Sequence, residues 1–203
     1  MKVIGITGGV GCGKSAILNE LKKNYSCFVL LADEAAKELE KRGNVCFLPL
    51  VELLGKNILG EDGEINSGRM SAVIFDNPSL LDKVNDIVHP AVKDYILSTI
   101  SQKASTGLYD YFFLEAALLI ECGYNEVVDE MWYIFTDEKI RRERLKKTRG
   151  YSDEKIDSIM RSQLSEEEFR AGSDFTVDNS GDIDKTMSQI YFKLGFPNNQ
   201  NGD

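Results

Sequence analysis

The stretch Gly8-Gly9-Val10-Gly11-Cys12-Gly13-Lys14-Ser15 decides the fold, because it has the spacing of a phosphate-binding loop: a glycine, four residues, then Gly-Lys-Ser. The apolar run at residues 2–6 before it predicts a strand, and residues 16–21 after it have apolar side chains at helical spacing. A turn from a strand into a helix is the context in which this motif binds phosphate. The sequence therefore predicts a nucleotide-binding loop.

The residue types of the loop explain the chemistry expected of it. Its glycines let the backbone curl so that successive N–H groups approach a polyphosphate, and a helix that begins near Gly13 adds the positive end of its dipole. Lys14 can reach the β- and γ-phosphates, and the Ser15 hydroxyl can ligate Mg²⁺. We expect the nucleotide to contact Gly9, Val10, Gly11, Cys12, Gly13, Lys14 and Ser15, with Ser15 as the metal ligand.

Two other interpretations of the loop are weaker. The run Gly11-Cys12-Gly13-Lys14-Ser15-Ala16 also fits a dinucleotide-binding turn, with Asp33 about 20 residues further on. Lys14 and Ser15 favour the phosphate loop, because that loop needs both and a dinucleotide turn needs neither. Cys12 could be a redox-sensitive thiol, but we interpret it as a small loop filler.

Composition and charge narrow the class of protein. The chain has 203 residues, of which 42% are hydrophobic and 28% charged, as in an ordinary globular protein with one substantial core. No apolar run of about 18 residues occurs, so we expect a cytoplasmic protein without a membrane partner. The net charge of −9 argues against a general nucleic-acid-binding surface. The four cysteines form no Cys-x-x-Cys pair, which disfavours a zinc site.

The positive charge is concentrated in one segment. Residues 139–149 contain seven lysine and arginine residues and one glutamate, a net charge of +6, so the rest of the chain carries −15. A run of charges is usually a solvated helix face. Here Arg144 and Arg149 precede a turn and a second predicted helix behind Ser152, and such a flap can close over a triphosphate and neutralise transition-state charge.

A second strand is predicted at residues 26–32, a continuously apolar run typical of a parallel sheet covered on both faces. It ends at Asp33. Because ligands of open α/β sheets bind beyond the carboxyl ends of the strands, we expect Asp33 to face the same crevice as the loop. Its carboxylate can accept a proton from an attacking hydroxyl, or it can cap a helix that begins at Glu34, and both interpretations stay open at this point.

Residues 34–106 show several helical patterns and no convincing strand. The block is too long for an ordinary crossover, so we interpret it as an insertion that forms a pocket for a second substrate. One helix is predicted to begin behind Ser79 as its N-cap and to stop at His89-Pro90, since the residue before proline disfavours helix. Its apolar face consists of Leu80, Leu81, Val84, Ile87 and Val88. His89, the only histidine, is more often structural than catalytic in such a position.

The remaining strands complete the predicted sheet. A third strand at residues 111–114 ends at Glu115, which we expect near the magnesium or as another helix cap. A fourth strand at 130–135 leads into the basic helix, and Ser165 to Glu168 match a capping box. A final strand at 174–178 is followed by the loop Asn179-Ser180-Gly181, and the closing helix has a buried face formed by Met187, Ile190, Tyr191 and Leu194.

With these elements placed, the sequence resembles the dephospho-coenzyme A kinases over residues 1 to about 194. The resemblance rests on the order and spacing of several segments, of which only the loop is specific by itself. These segments are residues 6–15, Leu31-Ala32-Asp33, residues 73–78, Val88-His89-Pro90, residues 115–121, Arg144-Leu145, Gly150-Tyr151-Ser152, Gln163, and residues 177–181.

The resemblance implies that ATP donates its γ-phosphoryl group to the ribose 3′-hydroxyl of dephospho-coenzyme A. Asp33 is then the general base, and Lys14 with Arg144 or Arg149 stabilises the transferred group. Asn179 and Gly181 are expected near the adenine of ATP. The acceptor substrate is expected to contact Thr7, Asp33, Lys37, His89, Glu115 and Leu118.

Several positions depart from the usual pattern of the family. Leu31 stands where an aspartate often precedes Ala-Asp, and Lys37 replaces a frequent arginine, which would remove a bidentate anion contact. Ala16 and Ala117 replace a common threonine and proline, and the spacing of the flap arginines is one residue longer. These departures bear on individual substrate contacts rather than on the reaction.

The predicted fold is therefore α/β, a three-layer P-loop NTPase-type parallel sheet with a helical substrate-binding insertion and a helical lid. The core comprises residues 1–33, 107–140 and 172–196, the insertion 34–106, the lid 141–171 and a frayed tail 197–203. Another small-molecule P-loop kinase, acting on a nucleoside monophosphate or shikimate, shares these features. A nucleotide-dependent switch is a rival of a different class, but the chain lacks the Asn-Lys-x-Asp of a guanine-selective GTPase.

Overall fold

The computed structural model describes residues 1–75 and 77–197. Its centre is a five-stranded sheet with the strand order β2-β3-β1-β4-β5. The pairings of β1 with β3, β1 with β4, and β4 with β5 are parallel, which confirms the predicted α/β class. The strands are Lys2–Thr7 (β1), Cys27–Leu31 (β2), Tyr111–Glu115 (β3), Glu130–Phe135 (β4) and Phe175–Asp178 (β5).

Helices follow most of the strands. Two short 3₁₀ turns lie at Lys56–Ile58 and Tyr124–Glu126. The α-helices are Lys14–Asn24 (α1), Ala32–Leu39 (α2), Phe47–Leu54 (α3), Ser67–Ile74 (α4), Pro78–Thr106 (α5), Glu138–Arg149 (α6), Asp153–Arg161 (α7), Glu166–Ala171 (α8) and Ile183–Leu194 (α9).

The chain divides into two compact units. One comprises Met1–Val29 and Lys103–Asp203 and holds the phosphate loop with most of the sheet. The other comprises Leu30–Gln102 and contains the last two residues of β2, helices α2 to α4, most of α5, and an antiparallel bridge between Leu59 and Ile65. The domain boundaries drawn from the sequence, 34–106 for the insertion and 141–171 for the lid, stay predictions. Of the predicted tail, residues 198–203 lie outside the described part of the chain.

The core of the first unit is the central strand with its neighbours. Residues 3–7 of β1 are all buried, as expected for a parallel strand covered on both faces. Phe112 and Phe113 of β3 and Trp132 of β4 are completely buried beside it. The rings of Phe113 and Trp132 lie 6.2 Å apart, so the two strands that flank β1 contact each other across it through large aromatic side chains. This packing fixes the strand end from which the loop leaves.

Helix α5 corrects one prediction. The helix does not stop at His89-Pro90 but continues through Pro90 to Thr106. Proline in a helix interior costs about 3 kcal/mol relative to alanine, but buried side chains continue along one face on both sides of it, which offsets that cost. These buried residues are Val84, Val88, Val92, Ile96 and Thr99.

The start of α5 and its buried face also differ from the prediction. The helix begins at Pro78, a favoured residue at the first helical position, so Ser79 is not its N-cap. The side chain of Asn77 accepts a hydrogen bond from the Leu80 N–H at 3.1 Å instead. Leu81 is exposed rather than buried. No helix in the described ranges is both long and apolar enough to cross a membrane.

An ion cluster connects the amino ends of β1 and β4 to the carboxyl end of helix α9. The carboxylate of Glu130 accepts hydrogen bonds from Lys2 Nζ at 2.7 Å and Trp132 Nε1 at 2.9 Å, and lies 3.2 Å from Lys193 Nζ. Burial alone would raise the pKa of Glu130, but the bonds from Lys2, Trp132 and Lys193 outweigh it and lower the pKa to about 2. The cluster lies at the end of the sheet opposite to the loop.

We expect Glu130→Gln to lower the free energy of unfolding at pH 7. The full pKa shift corresponds to about 3 kcal/mol, but both lysines touch solvent, so we expect about 1–2 kcal/mol. Because the pKa is lower in the folded state, this stabilisation is present above the ordinary pKa of 4.5 and is lost as the pH falls from there towards 2. Urea unfolding of wild type and variant between pH 7 and pH 3 measures it. The exposed Glu126→Gln is the control, and a difference independent of pH would contradict the assignment.

Candidate active site

The phosphate loop connects the end of β1 to the start of α1. Gly8, Gly11 and Gly13 have positive φ angles of 145°, 83° and 90°. At Gly13 the need for glycine is also steric, because a Cβ atom there would lie 2.4 Å from Asn179 Nδ2. The loop therefore has the curled backbone that a phosphate cradle requires, and α1 begins directly behind it at Lys14.

Lys14 folds back over the beginning of the loop. Its Nζ donates a hydrogen bond to the Gly8 carbonyl at 2.6 Å and lies 3.5 Å from the Glu115 carboxylate at the end of β3. Ser15, the predicted metal ligand, is exposed in the first turn of α1. The expected roles of Lys14 towards phosphate and of Ser15 towards a metal ion stay predictions.

The Cys12 carbonyl is held from three sides. It accepts hydrogen bonds from Asn179 Nδ2 at 2.7 Å, from Thr136 Oγ1 at 3.0 Å and from Arg144 Nη1 at 3.4 Å. The Cys12 side chain is buried, and burial, partly opposed by Lys14, raises the pKa of its thiol. A buried thiol with a raised pKa is a poor nucleophile, which agrees with the interpretation of Cys12 as a loop filler.

Asn179 connects the loop to the last strand and helix. Its backbone N–H donates to the Phe135 carbonyl at 2.8 Å, and its side-chain oxygen accepts from Thr186 Oγ1 at 3.0 Å. Its backbone carbonyl accepts from Arg144 Nη2 at 2.9 Å. Asn179 is buried and its amide already serves Cys12 and Thr186, whereas Gly181 is exposed in the same loop. Their expected contact with adenine stays a prediction.

A second arginine of α6, Arg141, contacts the loop and was not among the site residues predicted from the sequence. Arg141 Nε donates to the Val10 carbonyl at 3.0 Å, and Arg141 Nη2 donates to Gln163 Oε1 at 3.0 Å. Gln163 Oε1 also accepts from the Val10 N–H at 3.1 Å. A usable signal existed, because Arg141 precedes Arg144 by three residues and so shares its helix face. Gln163 entered only through the family resemblance.

The two predicted flap arginines have different environments. Arg144 contacts the loop as described above, but Arg149, the last residue of α6, is exposed with its guanidinium 5.9 Å from the Tyr151 ring centre. The flap itself forms as predicted: α6 ends at Arg149, Ser152 caps α7, and the capping box of Ser165 and Glu168 opens α8.

The predicted acceptor contacts in this unit lie near the carboxyl ends of β1 and β3. Thr7 is completely buried at the end of β1, and its hydroxyl has no hydrogen-bond partner among the described residues. Glu115 ends β3 beside Lys14, and Leu118 is half exposed in the turn that follows. Substrate contacts of Thr7, Glu115 and Leu118 stay predictions.

The other predicted acceptor contacts belong to the helical unit. Asp33 and Lys37 lie one turn apart on α2, and His89 lies on α5; all three are exposed. The alternative that Asp33 caps a helix starting at Glu34 is wrong, because α2 already begins at Ala32 and Asp33 is its second residue. An aspartate in the first turn still favours the helix through its dipole.

No group of three or more metal-ligating side chains occurs among residues 1–75 and 77–197. A Mg²⁺ ion that substrate phosphates and water bind needs only one or two oxygen ligands from the protein. The exposed Ser15 hydroxyl at the loop is one oxygen donor of the kind this chemistry uses.

A glycine-rich loop between the central strand of a parallel sheet and a helix, with a lysine over its start and a basic helix against it, defines a P-loop phosphotransferase. The family model for dephospho-CoA kinase matches residues 2–185. The chain therefore belongs to the dephospho-CoA kinase family, which confirms the resemblance drawn from the sequence and makes it a transferase.

Individual relatives agree with the family match. A dephospho-CoA kinase of Streptococcus mutans is 34% identical over 194 residues, covering 95% of this chain and 96% of the relative. One of Carboxydothermus hydrogenoformans is 32% identical over 190 residues, covering 94% and 91%. A solved Thermus thermophilus structure has a TM-score of 0.78 at 24% identity, covering 95% of this chain and 97% of that one, and supports the fold.

We expect Asn179→Ala to lower the free energy of unfolding by about 1–3 kcal/mol, because the buried Cys12 carbonyl and Thr186 hydroxyl lose a partner. ATP affinity should fall with it, since the loop loses a brace. Urea unfolding and ATP titration measure the two effects, with the exposed Asn125→Ala as control. Weaker ATP binding at unchanged stability would instead assign Asn179 to the nucleotide alone.

Proposed function

We propose that this chain transfers the γ-phosphoryl group of ATP to the ribose 3′-hydroxyl of dephospho-coenzyme A, giving coenzyme A and ADP. The observation that carries the proposal is the family match over residues 2–185 in a chain whose loop has the lysine, serine and curled backbone that the reaction needs. The reaction consumes ATP, which is available in the cytoplasm, so the proposal includes a cytoplasmic location.

The first unit supplies the donor site. Backbone N–H groups of the loop and of the start of α1 bind the polyphosphate, and Lys14 balances charge on its β- and γ-phosphates. Ser15 would hold Mg²⁺, which would supply positive charge against the negative charge that develops on the phosphate oxygens. Gly181 lies in the loop proposed for the base of ATP.

The helical unit supplies the acceptor side in this proposal. The 3′-hydroxyl oxygen attacks the γ-phosphorus while the bond from that phosphorus to the bridging oxygen of ADP breaks, and Asp33 takes the hydroxyl proton. An exposed carboxylate in the first turn of α2, directly behind a strand of the sheet, is the kind of group this role needs. Lys37 and His89 of this unit, and Thr7, Glu115 and Leu118 of the other, are the proposed binding residues for dephospho-coenzyme A.

The test offers the purified protein Mg²⁺, ATP and one of four acceptors: dephospho-coenzyme A, AMP, shikimate or adenosine. We expect one product, dephospho-coenzyme A made heavier by one phosphoryl group, together with an equal amount of ADP, as read by mass spectrometry. Turnover of another acceptor alone would keep a P-loop kinase and remove this substrate. ATP binding without any turnover would favour a nucleotide-dependent switch.

We expect Asp33→Asn to keep ATP affinity and to lower kcat by about 10²- to 10⁴-fold, because an amide cannot take the hydroxyl proton. Steady-state kinetics with dephospho-coenzyme A and a separate ATP titration measure both. Glu34→Gln, a neutralised carboxylate in the same exposed turn of α2, is the matched control and should keep wild-type kcat. A kcat for Asp33→Asn near that of the control would remove Asp33 from the catalytic role.

A further inference from the structure

The position of Lys14 identifies which end of the loop receives the γ-phosphate. In phosphate loops, the ammonium group of the motif lysine binds the β- and γ-phosphates, and Lys14 is that lysine in this chain. Here it lies at the beginning of the loop, 2.6 Å from the Gly8 carbonyl and 3.5 Å from Glu115. The γ-phosphate end of the cradle is therefore the side of Gly8, Gly9 and Val10, rather than the side of Cys12 and Gly13.

Arg141 lies at that same end. Its Nε is bonded to the Val10 carbonyl, and its guanidinium is so close to Gly9 that a Cβ there would lie 2.2 Å from Nη2 and 2.9 Å from Nη1. Glycine at position 9 thus makes room for a guanidinium across the loop. Arg144 is at the opposite end, where it contacts the Cys12 and Asn179 carbonyls.

The charge of Arg141 also needs a partner. Its neighbour Arg142 forms ion pairs with Glu138 and Asp157 at 2.8 and 2.6 Å. Across the described ranges 1–75 and 77–197, no carboxylate forms an ion pair with Arg141, and no hydrogen bond uses its Nη1. A half-buried guanidinium without a carboxylate is stabilised by a bound anion.

We propose that Arg141 contacts the γ-phosphoryl group of ATP and stabilises it during transfer. This deepens the proposed function and rests on it. As the bond to the acceptor oxygen forms and the bond to the bridging oxygen of ADP breaks, Nη1 and Nη2 donate to the equatorial oxygens, and Arg141 keeps its protons throughout. Gln163 is a positioning residue that holds the guanidinium and the Val10 N–H together.

Nucleotide binding separates this role from a purely structural brace. ADP lacks the γ-phosphate, so Arg141→Gln should weaken ATP binding several-fold more than ADP binding, and it should lower kcat by about 10²- to 10³-fold. Arg142→Gln, one residue away on α6, is the matched control and should change none of these values. If Arg141→Gln weakens ADP and ATP binding equally, Arg141 only braces the loop and the proposal falls.

Two further variants guard against a folding defect. Arg141→Lys keeps the positive charge and should give a kcat between wild type and Arg141→Gln, since an ammonium has three donors on one atom and lacks the planar five-donor fork of a guanidinium. Gln163→Met should lower kcat more in wild type than in the Arg141→Gln background, because its effect on Arg141 is present only in wild type. Equal effects of Gln163→Met in both backgrounds would contradict its positioning role.

The binding comparison also distinguishes failure of the two proposals. It needs no acceptor, so a selective loss of ATP over ADP affinity would support the Arg141 contact even if dephospho-coenzyme A were not phosphorylated. Phosphorylation of dephospho-coenzyme A by wild type, with equal loss of ADP and ATP affinity in Arg141→Gln, would keep the proposed function and overturn the role of Arg141.

Discussion

The phosphate loop can present its N–H groups to a ligand only if its carbonyl groups point away and find donors of their own, because an unpaired buried carbonyl is costly. Three alternate carbonyls meet this requirement. Gly8 accepts from Lys14, Val10 accepts from Arg141, and Cys12 accepts from Asn179, Thr136 and Arg144. The ligand-free shape of the loop therefore depends on donors from four other parts of the chain: the start of α1, the end of β4, helix α6, and the loop behind β5.

This dependence links the fold to the site. Helix α6 can supply both arginines only because they are three residues apart, and Asn179 reaches Cys12 only because β5 pairs with β4 in the register that places Val177 beside Ile134. The glycines at 9 and 13 are the counterpart of these contacts, since a side chain at either would occupy the space of Arg141 or Asn179. The glycines thus make room for side chains that pack against the outer side of the loop, as well as for phosphate on its inner side.

Local patterns in the sequence were enough to predict the loop, the sheet class and most strand ends, because the apolar strands and the Gly-Lys-Ser turn depend on near neighbours. Local patterns gave wrong or incomplete predictions where contacts between residues distant in the sequence determine the structure. Pro90 predicted a helix end from its local cost, but the buried face from Val84 to Thr99 carries α5 past it. Asp33 was compatible with a cap until the start of α2 at Ala32 placed it inside the helix. In the sequence, Arg141 is one of several charges in a basic segment, and only its hydrogen bond to the Val10 carbonyl distinguishes it from the others.

The basic segment of residues 139–149 shows why a charge count alone does not locate an anion site. Arg142 and Lys146 form ion pairs with Asp157 and Asp153 of α7, so that face of α6 is neutralised by the next helix. Exposed pairs of this kind contribute little stability, but they leave no charge for a ligand. On the opposite face, Arg141 and Arg144 donate hydrogen bonds to backbone carbonyls, and these carbonyls do not neutralise the charge of the two guanidinium groups. The positive charge at the loop thus comes from Arg141, Arg144 and Lys14, and the charge of Lys14 is partly balanced by Glu115 at 3.5 Å, on an otherwise acidic protein.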